Sequence, residues 1–261
     1  MAKCKAVALL SVLLATLAGC SALLDFNAFA SLDHRSAPTL ADVKGADGLN
    51  TLAADLASPS MVAALKADPA TTLQIKNYLD ATYHVTTGPL TTADQQAAAV
   101  LYSDLNLKTT SGDQLVNNIV SIVVATPSSG TKIADILGKI IPPDVAGDAT
   151  KFAAMVNGLL DANKAYTALG NSIPPAPPNV NLGDVAQKAA VACTMQAVVA
   201  AVMASPPITD TGGAITQMYM LVNNQSSTIA NVTLASDPLN PPLTYVKNIF
   251  DAAGLPLPGA S

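Results

Sequence analysis

Ser129-Gly130-Thr131-Lys132 is the stretch of this chain closest to a nucleophile motif, because Ser-x-x-Lys brings a hydroxyl within reach of a lysine that could activate it. That chemistry also needs Ser-x-Asn and Lys-Thr-Gly further on, carried by a sheet. Neither follows, so the stretch reads as a Ser/Gly loop ending at a helix start. Asp210-Thr211-Gly212-Gly213 offers a carboxylate on a tight turn. Hydrolysis by paired carboxylates needs two such turns sharing a proton, and one copy entering a helix reads as an N-cap. Asp80 and His84 lie four residues apart and share a helix face, but a metal site needs three or four ligands; the two read as a surface pair. Cys193 sits among Ala and Val and reads as a core thiol. Asp42, Asp47 and Asn50 do not follow calcium-loop spacing. No catalytic residue, metal ligand or cofactor site is assigned, and the chain is not read as an enzyme.

Composition narrows the chemistry further. The chain has no tryptophan and no glutamate, and all eighteen acidic side chains are aspartates. That excludes the His-Glu-x-x-His zinc helix, glutamate acids of glycoside hydrolysis, and indole platforms for sugars or bases. His34 and His84 are its two imidazoles, and Arg35 its single guanidinium. A net charge of −5 leaves no electrostatic footprint for nucleic acid. Half the residues are apolar and 4% aromatic, with alanine abundant, which favours closely packed helices over sheets.

The elements that must carry these residues are helical throughout. Leu49, Leu52, Ala53 and Leu56 follow the i, i+3, i+4, i+7 spacing of one buried face. Ser58-Pro59-Ser60 ends that helix and starts a short one. Asp68-Pro69 caps the next, with Leu73, Leu79 and Tyr83 directed inward until Gly88-Pro89. Thr91-Thr92 opens another, and Ser111 a further one that closes at Pro127. Helices over 131–141, 148–169, 182–204, 212–224 and 242–253 follow. Residues 226–236 are strand-like but lack a partner, and read as loop. The expected fold is all-α: one multi-helix domain over 41–258, with about nine or ten helices arranged as a bundle or an irregular array of hairpins. The proline-rich loop 173–181 is a candidate boundary within it. Ala189 to Ala204 has only Thr194 and Gln196 as polar groups. It is shorter than the roughly 20 residues of a spanning helix and reads as a central core helix, with membrane insertion or an oligomer seam as alternatives. Leu115-Val116-Asn117-Asn118, Met155-Val156-Asn157-Gly158 and Leu221-Val222-Asn223-Asn224 resemble one another without a fixed period. If the recurrence is used, its asparagines should hydrogen-bond across neighbouring helices.

The N-terminus carries the one specific motif. Lys3 and Lys5 precede an apolar run, Ala6 to Thr16, too short to span a membrane, and Leu17-Ala18-Gly19-Cys20 closes it. This pattern resembles the lipobox of bacterial lipoproteins and covers the first twenty residues. The resemblance implies a signal peptide over 1–19, cleavage between Gly19 and Cys20, and diacylglycerol on the Cys20 sulfur with a further acyl chain on the new N-terminus. Each buried methylene contributes roughly 0.8 kcal/mol, so two or more chains anchor stably. Residues 20–40 would then be the lipidated cysteine and its tether. Loss of Lys3 and Lys5 takes the thirteen cations to eleven against eighteen aspartates, a charge of −7. Cys4 leaves with the signal and Cys20 takes lipid, so Cys193 has no intramolecular disulfide partner. In the enterobacterial sorting scheme that this resemblance brings in, aspartate after the lipidated cysteine would favour inner-membrane retention, so Ser21 implies the outer membrane, facing the periplasm. The expected role is a lipid-anchored, non-catalytic binding or assembly module. Its partners would be the membrane, through the acyl chains on Cys20, and another envelope protein. The alternative is a carrier of a small apolar ligand such as a fatty acid, and a third reading is an envelope hydrolase resting on Ser129 and Lys132.

Overall fold

A computed structural model describes residues 37–84, 89–116, 132–173, 180–205, 207–225, 227–234 and 243–256. The signal, Gly19, Cys20, the tether to residue 36, Ser129, Asn117, Asn118 and most of the proline-rich loop lie outside the described residues. The chain is all-α. Its described helices are α1 (Leu40–Lys44), α2 (Gly48–Leu56), α3 (Pro59–Ala67), α4 (Pro69–Tyr83), α5 (Ala93–Thr109), α6 (Ile133–Ile140), α7 (Pro143–Ala146), α8 (Ala149–Gly170), α9 (Leu182–Met203), α10 (Thr211–Val222) and α11 (Thr244–Ala253). Residues 112–116 are helical as well. One compact unit starts at Ala37, and helices from both sides of the proline-rich loop, α8 and α9, pack directly on each other. Among the described residues the strand-like stretch makes a single antiparallel bridge, Lys132 to Thr233, and otherwise remains loop and turn.

Helix starts follow from short polar side chains that satisfy free backbone N–H groups. Asp68 accepts from Thr71 N at 3.0 Å, ahead of Pro69, and Asp210 accepts from Gly213 N at 2.7 Å. Thr92 forms a reciprocal box with Gln95, the amide standing in a chain that has no glutamate. Thr39 and Asp42 do the same for the one-turn α1. The Thr39 hydroxyl holds the Asp42 carboxyl below its ordinary range, and the Thr71 backbone N–H does so for Asp68.

The long α8 is the hub, packing on α5, α9, α10 and α11. Phe152, Met155, Leu159, Tyr166 and Leu169 along it are fully buried. Two glycines let neighbours approach closely. A Cβ on Gly158 would lie 2.3 Å from Thr110 Oγ1, and one on Gly170 would lie 2.3 Å from the Tyr245 carbonyl oxygen. Polar ties accompany these contacts. Ser103 donates to Ala99 O and Ala162 O, and Tyr245 donates to Asn163 Oδ1 at 2.7 Å. Cys193 is buried beside Tyr245, and burial pushes its thiol up, which makes it an inert core group as its neighbours suggested.

α9 is long and apolar enough to cross a membrane, yet 72% of its most apolar window is buried inside the fold. Packed against α8, α10 and α11, it is the central core helix anticipated from its apolar circumference. The expectation for Leu73 fails: it is 57% exposed, and Thr72 occupies the core instead, donating to Leu65 O at 2.7 Å. The register explains the exchange. Burying Thr72, Ile75, Leu79 and Tyr83 leaves Asn77 exposed and Lys76 and Asp80 only partly buried, whereas a face centred on Leu73 would bury all three. Ala53 is likewise exposed, leaving Leu52 and Leu56 to fill the core from α2.

Candidate functional site

The polar side chains that sequence reasoning singled out are spread over the fold. His84 Nδ1 lies 2.8 Å from Asp80 Oδ1 at the exposed end of α4, a surface pair with both side chains about half accessible. Lys132 is exposed at the start of α6, whereas Ser129 lies outside the described residues. Asp210 caps α10, and Asp47 Oδ1 accepts from Asn50 Nδ2 at 3.2 Å. Asn223 does reach another element, donating to Ala146 O at 2.7 Å, but Asn157 points to solvent, so these two members of the recurrence do different things. Among the described residues no three of His, Cys and Asp could hold a metal ion.

What the fold does assemble is a cleft beside α2 and α5. Two adjoining hollows, about 220 and 420 Å³, share Leu49, Asn50 and Ala97 as a common waist. The larger runs past the α1–α2 turn to Tyr78 and Thr82 on α4, with Asp47 and Asp94 on its rim. The smaller runs along Val100 and Leu101 to Asp104, Asp184 and Val185. Ala97 keeps the waist low, and Ala53 the floor of the smaller hollow beside it. The Lys44 ammonium stands 5.6 Å from the centre of the Tyr78 ring, a cation–π contact at one end.

An ion triad closes the other end. Lys188 Nζ, on the otherwise apolar α9, lies 2.8 Å from Asp104 Oδ1 and 2.6 Å from Asp184 Oδ2, and its side chain is 10% exposed. Burial pulls the lysine's pKa down, but the two carboxylates outweigh it and the net shift is upward. Behind the triad, Tyr166 is fully buried; burial first, then the charges of Asp104 and Asp184, raise its pKa far above the ordinary value. Sequence reasoning missed this group. Asp184 and Lys188 are at i, i+4 and could have been paired on one helix, but nothing local points to Asp104, 84 residues away.

Family models, curated proteins and solved structures were compared with the chain, and none matches.

Proposed function

We propose that the chain is a lipid-anchored, all-helical protein of the cell envelope that binds or assembles another envelope component without catalysing a reaction. The observation that carries this reading is the basic head, short apolar run and Leu17-Ala18-Gly19-Cys20 at the N-terminus. Acylated at Cys20, the chain would be held at the outer membrane facing the periplasm. Sixteen residues lie between Cys20 and Ala37, where the compact domain starts, a tether reaching at most about 60 Å when extended.

A binding role is supported by how the described titratable groups are employed. Asp42, Asp68, Asp148 and Asp210 cap helices, Asp104 and Asp184 hold Lys188, and Asp80 holds His84. The cleft of α2 and α5 is the surface assigned to the partner. The apolar circumference of α9, the motive for an apolar-ligand carrier, is taken up by three neighbouring helices.

Site-specific photo-crosslinking in intact cells tests the proposal. A crosslinker at Ala53, on the cleft, should give one discrete protein adduct that a crosslinker at Thr150 does not. Cys20→Ser should release the chain from the membrane fraction and abolish the adduct. Equal labelling at both positions, or a membrane fraction unchanged by Cys20→Ser, would contradict it.

A further inference from the structure

The cleft is asymmetric in charge, and this bears on what it receives. Its lining carries four carboxylates, Asp47, Asp94, Asp104 and Asp184, against one ammonium, Lys44. Lys188 pairs with the second two, which leaves that end with one net negative charge. At the other end Lys44 is turned to the Tyr78 ring, and neither Asp47 nor Asp94 has a cation within 4 Å among the described residues. Between the two negative ends lies an apolar stretch, Leu49, Ala53, Ala97, Val100 and Leu101.

Resting on the binding role above, we propose that the cleft receives an extended, basic segment of a partner polypeptide, with two cationic side chains four residues apart and an apolar side chain between them. The dimensions favour this occupant. Asp94 and Asp104 are ten residues apart on α5, about 15 Å along a helix axis. Residues i and i+4 of an extended chain are about 13 Å apart, and positions i, i+2 and i+4 face the same side. Cations at the two ends meet Asp47 with Asp94 and Asp104 with Asp184. The middle side chain rests over Ala97 and Val100. The low alanine waist admits the backbone, and the hydrogen-bonding group of Asn50 lies beside it.

The test uses the full lipidated chain in neutral detergent micelles and two fluorescent pentapeptides, Lys-Ala-Val-Ala-Lys and Asp-Ala-Val-Ala-Asp, both blocked at their ends. Anisotropy should show binding of the lysine peptide alone, weakening as salt is raised. D47N and D94N should each weaken it by up to about fivefold, the range for one exposed charge pair. Asp144→Asn, an exposed carboxylate on α7 away from the cleft, should leave it unchanged. Ala97→Arg should abolish binding while leaving helical content intact. Absence of binding by the lysine peptide, or equal loss in D144N and D94N, overturns the proposal. In that case an adduct at Ala53 would still uphold the binding role, so the two failures are distinguishable.

Discussion

Replacing Lys188 by methionine keeps the length and the apolar stem of the side chain and removes its charge. Asp104 is left at 19% exposure without its cation, beside the buried Tyr166, while Asp184, at 48%, can turn to solvent. Breaking a buried pair from one side costs about 3–5 kcal/mol. Because one carboxylate here is freely hydrated once released, the loss should lie at or somewhat below the bottom of that range, and we expect about 2–4 kcal/mol. For a domain of this size 1 kcal/mol corresponds to about 2–4 °C, so the melting midpoint should fall by about 6–12 °C at the centre of that range. Thermal unfolding followed by circular dichroism measures the midpoint, and urea unfolding the free energy. Adding Asp104→Asn should recover part of the loss, because the stranded charge is gone, with a coupling of about 1 kcal/mol or more. A K188M midpoint within error of the parent, or a double variant equal to the sum of the singles, would refute the view that the triad ties α9 to α5.

Other predictions follow from packing and titration. Gly170→Ala forces a Cβ to within 2.3 Å of backbone, and Gly158→Ala does the same against the Thr110 hydroxyl; each should lose about 2 kcal/mol or more in urea. Gly138→Ala, at an exposed position of α6 with nothing within 4 Å, should instead gain about 0.5–1 kcal/mol. Leu73→Ser should shift stability by less than about 0.5 kcal/mol, whereas Leu79→Ser, fully buried, should cost several. Burial raises the pKa values of Tyr83, Tyr166 and Tyr245, and pushes that of Tyr102 up to about 12. The folded chain therefore holds these protons more tightly than the unfolded one. That contribution is whole below pH 10 and drains away as pH rises towards the folded values. Lys188 and the buried Cys193 thiol act in the same sense, and among the described residues Lys76, drawn down by burial, opposes them. The urea midpoint should be level from pH 7 to about 8, decline slightly as the unfolded Cys193 thiol ionises, and fall steeply between pH 10 and 12; a level profile to pH 12 would count against the buried placement of the tyrosines.

The all-α architecture was legible because local signals agreed with tertiary need. Asp68-Pro69, Thr92 with Gln95 and Asp210 are caps whose partners lie within three residues, so spacing alone identifies them. The central place of α9 could be read from an apolar circumference that only a surrounding core satisfies. Leu73 looks like a core residue from hydrophobicity alone; the polar side chains that share its face, Lys76, Asn77 and Asp80, are what place it outside. The one-turn α1 and α7 carry too few residues for periodicity to show. The cleft was invisible for a different reason. It joins the α1–α2 turn, α4, α5 and the start of α9, and its decisive contact, Asp104 to Lys188, bridges helices distant in the chain. Such pairings are set by packing, and no local pattern carries them.

Native mass spectrometry of the full chain, gently extracted from its own membranes, tests the central claim most directly. The account predicts a polypeptide that begins at Cys20, carries the added mass of its acyl chains, and travels in a discrete complex with a second polypeptide. A chain that retains residues 1–19, or one that begins at an unmodified Cys20 and flies alone, would contradict it.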